Sequence, residues 1–277
     1  MQDPSKTKQN SARTRIAGRS GPAPQRKLYS APALEKGLDI LELLALEPQE
    51  LGQKEIADRL GRSVGEIFRM LAVLEQREFV RLAADSERYQ LTMKLFQLAH
   101  WHLPVNRLIQ ASTGPMRRLA LRTGQSCHLT TLSVPDVVVL YRQESFGDRS
   151  FAVRVGAQSP VLDSCSGQMF FALSDDFTRE TIRATLKADS QVQQRAAAAA
   201  NLAEDLRRTQ LLELPSSQVE GITDIGTPVL DINDSMTAAL IIPFLHRIDR
   251  DNSDQLADIR SALVEAGREI GSALRAG

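Results

Sequence analysis

The chain has 277 residues with 34 basic and 34 acidic side chains, so its net charge is zero. Its length allows two domains with separate cores, and its 42% hydrophobic and 25% charged residues are typical of a globular protein. It has no apolar run near the ~20 residues of a membrane span, no secretory signal and only two cysteines, so we expect a cytoplasmic protein without a disulfide framework or membrane partner.

The charges are unevenly distributed. Residues 1–27 carry seven basic side chains and one acidic side chain and are rich in Ser, Pro, Gly and Gln. This composition predicts a basic disordered tail over residues 1–28, and an arm that contacts DNA is the second interpretation. Residues 28–90 carry eight basic and twelve acidic side chains, a net charge of −4. Nucleic-acid binding by this segment would therefore depend on local clusters of arginine.

Residues 29–91 have the pattern of a winged helix-turn-helix. A first helix begins near Pro32 and is ended by Pro48. Two short helices then flank Gly61, which permits a sharp turn. Ser63 and Glu66 form a capping box that predicts the start of the second of these helices. The alternative is a helical hairpin within an ordinary core.

The second helix of this pair has two distinct faces. Its apolar residues recur at helical spacing and are expected to face the core: Val64, Ile67, Leu71 and Leu74. The opposite face is slim and basic: Arg62, Gly65, Arg69, Ala72 and Gln76. Such a face fits a DNA major groove. Residues 79–82 and 89–91 alternate polar and apolar side chains, which predicts a hairpin that supplies the wing.

Residues 92–104 are predicted to form a linker helix. Its apolar side chains would be covered either by a second copy of the chain or by the same chain. Residues 105–277 predict an α+β domain with an antiparallel sheet. Helices are expected over 105–123, 167–173, 176–187, 192–209 and 251–274, and strands over 126–132, 137–143, 151–155, 222–231 and 238–245.

Several of these segments resemble the IclR family of bacterial transcription regulators. The N-terminal ones are Ala33–Glu42, EIADRLG at 55–61, RMLAVLEQREFV at 69–80 and Tyr-Gln-Leu at 89–91. The C-terminal ones are Arg154-Val155-Gly156, Pro160, Gly167, Gly221-Ile222 and Pro228-Val229. The resemblance implies a winged helix, a linker helix and a GAF-like α+β effector-binding domain, assembled as homodimers or dimers of dimers. It implies a DNA-binding regulator, which we expect to be a repressor controlled by a small metabolite.

The predicted contacts with an operator in double-stranded DNA lie around the start of the second helix and on the wing. They are Arg62, Ser63, Gly65, Glu66, Arg69 and Arg88. The family usually has a basic residue and a Ser-Thr pair where this chain has Val64, Gly65 and Glu66. Glu66 is therefore expected either to accept from a cytosine amine or to cap its own helix, of which we favour the cap.

The resemblance places the metabolite at the loop 161–167, where small residues precede a helix whose N-terminus favours electron-rich groups. The expected lining is Cys127, His128, Thr130, Tyr141, Ser164, Cys165, Ser166, Gly167, Thr223, Asp224 and Ile225. The family often has Cys at the position of Asp224. An ionised Asp224 would repel a carboxylate, so we expect a ligand with a hydroxyl or amine, or a protonated Asp224. An ordinary helix cap is the alternative for Ser164-Cys165-Ser166.

Two other functions remain open from the residues alone. Cys165 with His128 and either Asp163 or Asp224 has the residue types of a nucleophilic enzyme, although nothing in the sequence sets their geometry. The second alternative is a winged-helix protein that only associates with other proteins and does not bind DNA. The excess of acidic residues in 28–90 keeps this interpretation open. We expect neither a cofactor nor a metal site, because His100 and His102 do not share a helix face and no cysteine pair has zinc spacing.

Overall fold

The computed structural model describes residues 30–84, 86–145, 151–186, 189–246 and 253–276. The chain divides into two compact units between Leu95 and Phe96. The predicted tail, residues 1–28, lies outside the described residues. None of the described helices combines the length and the apolar character that crossing a membrane requires.

The first unit contains three helices and a small sheet. Its elements are α1 (Pro32–Leu46), β1 (Leu51–Gly52), α2 (Gln53–Leu60), α3 (Val64–Gln76), β2 (Val80–Leu82) and β3 (Arg88–Leu91). The sheet is antiparallel in the order β1-β3-β2. Ile40, Ile56, Ile67 and Leu71 are fully buried or nearly so and join the three helices into one core. This arrangement is a winged helix, as the sequence predicted, with β1 as an additional strand.

A linking helix, α4 (Lys94–Trp101), spans the division between the units. None of its residues is buried. Its apolar side chains are exposed: Leu95, Phe96, Leu98 and Trp101. The described part of the chain therefore leaves this helix uncovered.

The second unit surrounds a six-stranded sheet. Its strands are β4 (Cys127–Ser133), β5 (Asp136–Gln143), β6 (Gln158–Pro160), β7 (Leu212–Pro215), β8 (Ile222–Leu230) and β9 (Met236–Leu245). Its helices are α5 (Leu103–Thr123), α6 (Cys165–Leu173), α7 (Asp176–Thr185), α8 (Ser190–Asn201), α9 (Ala203–Thr209) and α10 (Ser253–Ala276). The strands lie in the order β6-β5-β4-β9-β8-β7, and each neighbouring pair is antiparallel. The unit is the α+β fold that the sequence predicted.

The sheet has a hydrophobic core on each face. On one face, Leu129, Leu240 and Ile242 pack with residues of α5 and α10. On the other face, Ala239 and Ile241 pack with residues of α6, α8 and α9. Consecutive residues of a strand point to opposite faces, so each central strand contributes to both cores.

Two predicted elements differ from the structure. The strand expected at 151–155 does not form; residues 151–154 have no regular structure, and the strand in this region is β6. Phe151 and Val153 instead turn towards a cavity described below. The helix expected over 192–209 is divided into α8 and α9, where the Leu202 N–H bonds the Ala199 carbonyl at 3.2 Å and tightens the turn. Strand β7 was not predicted.

Candidate DNA interface and ligand cavity

The turn between α2 and α3 is fixed by its own residues. Gly61 adopts a left-handed conformation with φ of 62° and ends α2. Ser63 caps α3, because its side chain accepts from the Glu66 N–H while Glu66 accepts from the Ser63 N–H. The capping box expected from the sequence is therefore present, and it leaves the start of α3 exposed to solvent.

The outward face of α3 carries the residues expected there. Arg62, Gly65, Arg69, Ala72 and Gln76 are all exposed. Arg69 forms no ion pair or hydrogen bond with any described residue, whereas Arg62 lies 3.4 Å from Asp39. Arg69 is thus the freer of the two cations to reach DNA.

The prediction for Val64 is corrected by the structure. Val64 was expected in the core, but it is 46% exposed because it is the first residue of α3 and precedes the turn that packs on α1. Phe68, one turn later on α3, is 55% exposed and was not singled out from the sequence. Phe68 and Arg69 are therefore neighbouring exposed residues of α3.

Two predicted DNA contacts are occupied within the domain. The Lys36 ammonium pairs with Glu66 and, together with the Ser63 cap, holds the pKa of the Glu66 carboxyl at about 2. Arg88 pairs with Glu55 at 2.7 Å, and its Nε donates to the Glu50 carbonyl at 2.9 Å. Glu66 therefore acts as a cap, and Arg88 ties the wing to the helices.

In the second unit, the described residues enclose a cavity of about 150 Å³. It lies at the N-terminus of α6, against the sheet face that also packs on α8. Six of the predicted residues line it: His128, Thr130, Ser164, Cys165, Ser166 and Asp224. The remaining lining residues were not predicted: Val137, Val139, Phe151, Val153, Ala157, Ser159, Ser216, Ser217, Gln218, Val219 and Ile241.

Strand alternation removes three predicted residues from the lining. Cys127 and Ile225 neighbour lining residues in sequence, so they point to the opposite face and enter the core with α5 and α10. Thr223 is turned away for the same reason and bonds His246 at 2.7 Å. The sequence named the correct strands but did not fix which alternate residues face the cavity.

Two more predicted residues, Tyr141 and Gly167, do not line the cavity. A β-bulge is the cause for Tyr141, and a close backbone contact is the cause for Gly167. Opposite the Leu129–Thr130 step of β4, strand β5 has one extra residue, Leu140. The bulge turns Tyr141 towards the core with α5 and α10, while Val139 faces the cavity. Gly167 packs on the Val161 backbone, and its N–H is bonded to Ser164 Oγ at 3.1 Å.

Many of the unpredicted lining residues lie in segments whose sequence has no helical or strand-like hydrophobic periodicity. Ser216 to Val219 follow β7, and Phe151 and Val153 lie on an irregular stretch. The one sequence signal that pointed to this region was Pro215-Ser216-Ser217. These residues are typical of a turn, and the family has a different pattern at this place. Without a predicted β7, nothing placed this turn beside α6.

Two titratable side chains dominate the electrostatics of the cavity. Burial raises the pKa of the Asp224 carboxyl to about 6 and lowers the pKa of the His128 imidazole to about 4. His128 is therefore neutral at pH 7, and its buried Nδ1 has no hydrogen-bond partner among the described residues. At pH 7 most of the Asp224 population is ionised, so the carboxylate accepts hydrogen bonds and does not donate them.

The chemistry of Cys165 argues against a nucleophilic role. Burial raises the pKa of its thiol well above the usual value, and the charges of Asp224 and Glu213 raise it further. Its Sγ lies 3.6 Å from the Leu212 carbonyl, and Asp163 is paired with Arg195. A neutral thiol is a poor nucleophile. In the described residues no group of His, Cys, Asp and Glu is arranged to hold a metal ion.

The pH dependence of stability provides a test of this environment. A carboxyl whose pKa is raised on folding stabilises the fold as the pH falls, here from about 6 to about 4. An imidazole whose pKa is lowered on folding destabilises the fold as the pH falls, here from 6.5 to about 4. The two contributions oppose each other in the native chain.

Asp224→Asn is expected to remove the carboxyl contribution alone. At pH 7 the full-length variant should be more stable by about 1–2 kcal/mol, allowing for partial exposure of the carboxyl. Below pH 6.5 its Tm should fall more steeply than that of the parent chain in scanning calorimetry. Asp234→Asn, which removes an exposed carboxylate, should keep the parental profile. Parallel profiles for all three proteins would show that Asp224 titrates normally.

A winged helix with an exposed α3, followed in the same chain by an α+β unit that encloses a cavity, defines a DNA-binding transcription regulator. The chain matches the model of the IclR helix-turn-helix domain over residues 33–83 and that of the bacterial transcriptional regulator IclR C-terminal domain over residues 102–272. It belongs to the IclR family of bacterial transcriptional regulators, a family of regulators and not of enzymes. The enzyme and association-module alternatives have no support.

Named relatives agree with this assignment. The chain is 28% identical over 236 residues to the HTH-type transcriptional regulator KdgR of Dickeya chrysanthemi, covering 82% of this chain and 75% of the relative. It is 25% identical to KdgR of Escherichia coli K12, covering 87% and 92%. An IclR homologue of Microbacterium hydrocarbonoxydans, crystallised with 4-hydroxybenzoate, shares the fold with a TM-score of 0.70 at 21% identity, covering 88% of this chain and all of the homologue (100%).

Proposed function

We propose that this regulator is a cytoplasmic repressor whose operator affinity is controlled by a small metabolite bound in the cavity of the second unit. The observation that carries the proposal is the presence, in one chain, of a winged helix whose α3 has an exposed outward face and of a cavity whose lining includes the buried His128 and the partly buried Asp224. A buried polar group without a partner costs free energy, which a ligand can recover.

The proposed operator contacts come from the outward face of α3. Arg69 and Phe68 lie next to each other there, with Arg62 at the preceding turn. The acidic balance of residues 28–90 limits non-specific attraction to phosphate, so specific contacts of α3 would carry a large share of the affinity. The tail is a candidate for additional contacts that the described residues do not include.

The proposed assembly is a homodimer formed through α4. Phe96 and Trp101, 62% and 63% exposed, lie on a helix without a single buried residue. An apolar helix left uncovered by its own described chain is typical of an interface between copies. Two copies would present two α3 helices to a two-fold operator, and a dimer of dimers would double that number.

The structure of the Microbacterium homologue with 4-hydroxybenzoate supports ligand binding by this type of protein. The cavity here has its own polar groups, so the same ligand is not inferred. A ligand acts as an effector only if it binds one arrangement of the assembly more tightly than another. Coupling of the usual size would change the affinity for DNA by about 5–150-fold.

The proposed function is tested by measuring how metabolite binding and DNA binding affect each other. Full-length protein is titrated with the DNA upstream of its own gene, before and after addition of metabolites that raise its Tm. We expect at least one such metabolite to weaken DNA binding by about 5-fold or more, and DNA to weaken binding of that metabolite by the same factor. Sedimentation of the same samples gives the stoichiometry. Ligands that stabilise the protein but leave DNA affinity unchanged would contradict the proposal.

A further inference from the structure

The side-chain charges in the described lining of the cavity are unbalanced. Asp224 is its only acidic residue, and no lysine or arginine is among the described residues that line it. The cavity therefore offers no described cation to a carboxylate or phosphate. A ligand anion placed there would meet the Asp224 carboxylate without a compensating side-chain charge from the described lining residues.

Several hydroxyl groups of the lining already donate their protons elsewhere. Ser217 Oγ donates to the Asp163 carbonyl at 2.7 Å, Ser164 Oγ to the Pro160 carbonyl at 3.3 Å and Thr130 Oγ1 to the Ala239 carbonyl at 3.4 Å. Each of these oxygens can then only accept further hydrogen bonds. Together with the Asp224 carboxylate, they supply acceptors, while the Ser159 and Ser166 hydroxyls and the first N–H groups of α6 supply donors. A ligand hydroxyl can bond both kinds of group, because it donates and accepts.

The neutral ring of His128 adds a site that suits a hydroxyl. The imidazole lines the cavity, is 7% exposed, and has an Nδ1 atom without a partner among the described residues. A neutral imidazole has one donor and one acceptor nitrogen, depending on its tautomer. A ligand hydroxyl can donate or accept, so it can bond the ring in either tautomer.

The size of the cavity limits the ligand. A cavity of about 150 Å³ is close in volume to an engineered protein cavity that holds benzene. This volume corresponds to a ligand of about six non-hydrogen atoms. A compound of this size fits the described lining without a rearrangement.

We propose that the cavity binds a small uncharged polyol, whose hydroxyl groups donate to the Asp224 carboxylate and to the serine and threonine oxygens and bond the His128 ring. This inference rests on the proposed function, since it names the class of effector. Asp224, whose pKa burial raises to about 6, is largely ionised at pH 7.5, which agrees with an acceptor role.

The experiment compares three probes of nearly equal size: glycerol, which is uncharged, glycerate, which carries a carboxylate, and serinol, which carries an ammonium group. Binding to the full-length protein is measured by isothermal titration calorimetry at pH 7.5, with erythritol as a longer polyol. We expect glycerol or erythritol to bind at least about 10-fold more tightly than glycerate, a difference of about 1.4 kcal/mol. Serinol should bind no more tightly than glycerol, because its ammonium loses hydration on entering the cavity and, unlike a hydroxyl, cannot accept from the N–H groups at the start of α6.

Two variants make the comparison specific. Asp224→Asn should bring the affinities for glycerol and glycerate within about 3-fold of each other, because it removes the charge that repels the carboxylate. Asp234→Asn removes an exposed carboxylate outside the cavity and should preserve the parental preference. Asn is compatible with the positive φ of 57° at position 234.

The possible results separate the two proposals. Tighter binding of glycerate or serinol, or no binding of either polyol, would overturn the polyol inference and leave the regulator proposal to its own linkage test. Polyol binding with the expected preference but without any change in DNA affinity would support the ligand class and contradict the effector role.

Discussion

Gly167→Ala is expected to destabilise the second unit by about 3 kcal/mol or more. A Cβ atom at position 167 would lie 2.1 Å from the Val161 carbonyl oxygen and 2.6 Å from the Val161 Cα. These are backbone atoms, so no side-chain rotation can relieve the contact. The segment 161–163 and the start of α6 would have to separate, which would also displace Ser164 and open the cavity.

The measurement is the free energy of unfolding of the full-length chain in urea, followed by circular dichroism. Gly37→Ala is the matched control, because no heavy atom lies within 4 Å of its added Cβ and alanine has the higher helix propensity. That variant should be neutral or more stable by up to about 1 kcal/mol. Equal stability of Gly167→Ala and the parent chain would mean that the close packing of α6 on residue 161 is not as described.

Arg69→Ala is expected to raise the Kd for operator DNA by about 10- to 100-fold at fixed salt. Arg69 is exposed on the outward face of α3 and has no partner among the described residues, so its loss removes a DNA contact and no contact within the protein. Its Tm should therefore stay close to that of the parent chain. Fluorescence anisotropy with labelled operator measures the change.

The control is Arg207→Ala, which removes the same charge from an exposed position of α9 in the second unit. It should bind the operator as the parent chain does. Repeating the Arg69→Ala titration over several salt concentrations identifies the contact, because loss of a phosphate contact lowers the salt slope by about 1 whereas loss of a base contact relaxes sequence preference. An unchanged Kd would mean that another face of α3 meets DNA.

The winged helix was predictable because its determinants are local. The Ser63–Glu66 capping box, the turn at Gly61 and the apolar spacing of Ile67 and Leu71 lie within a few residues of one another. Each was confirmed in the structure. The prediction that Val64 is buried was wrong, because hydrophobic periodicity alone does not show where the core ends at the first turn of a helix.

The ligand cavity was less predictable because its geometry depends on long-range register. The sequence identified β4, β5 and β8 as its walls, but the bulge at Leu140 and the alternation along β8 decided which residues face inward. The prediction of a strand at 151–155 was wrong for a similar reason, since the apolar Phe151 and Val153 line the cavity and do not pair with another strand. Likewise, no Gly or Pro marks the division between α8 and α9.

The two cores on opposite faces of the sheet have a consequence for how this regulator could diverge. Asp224 faces the cavity while the next residue, Ile225, packs beneath α10, and His128 and Leu129 have the same relation on β4. Mutations at every second position of these strands could thus change which compound is sensed without disturbing the packing on the far side. Ligand preference and the stability of the fold would then depend on different, alternating residues of the same strands, so that each could change almost independently of the other.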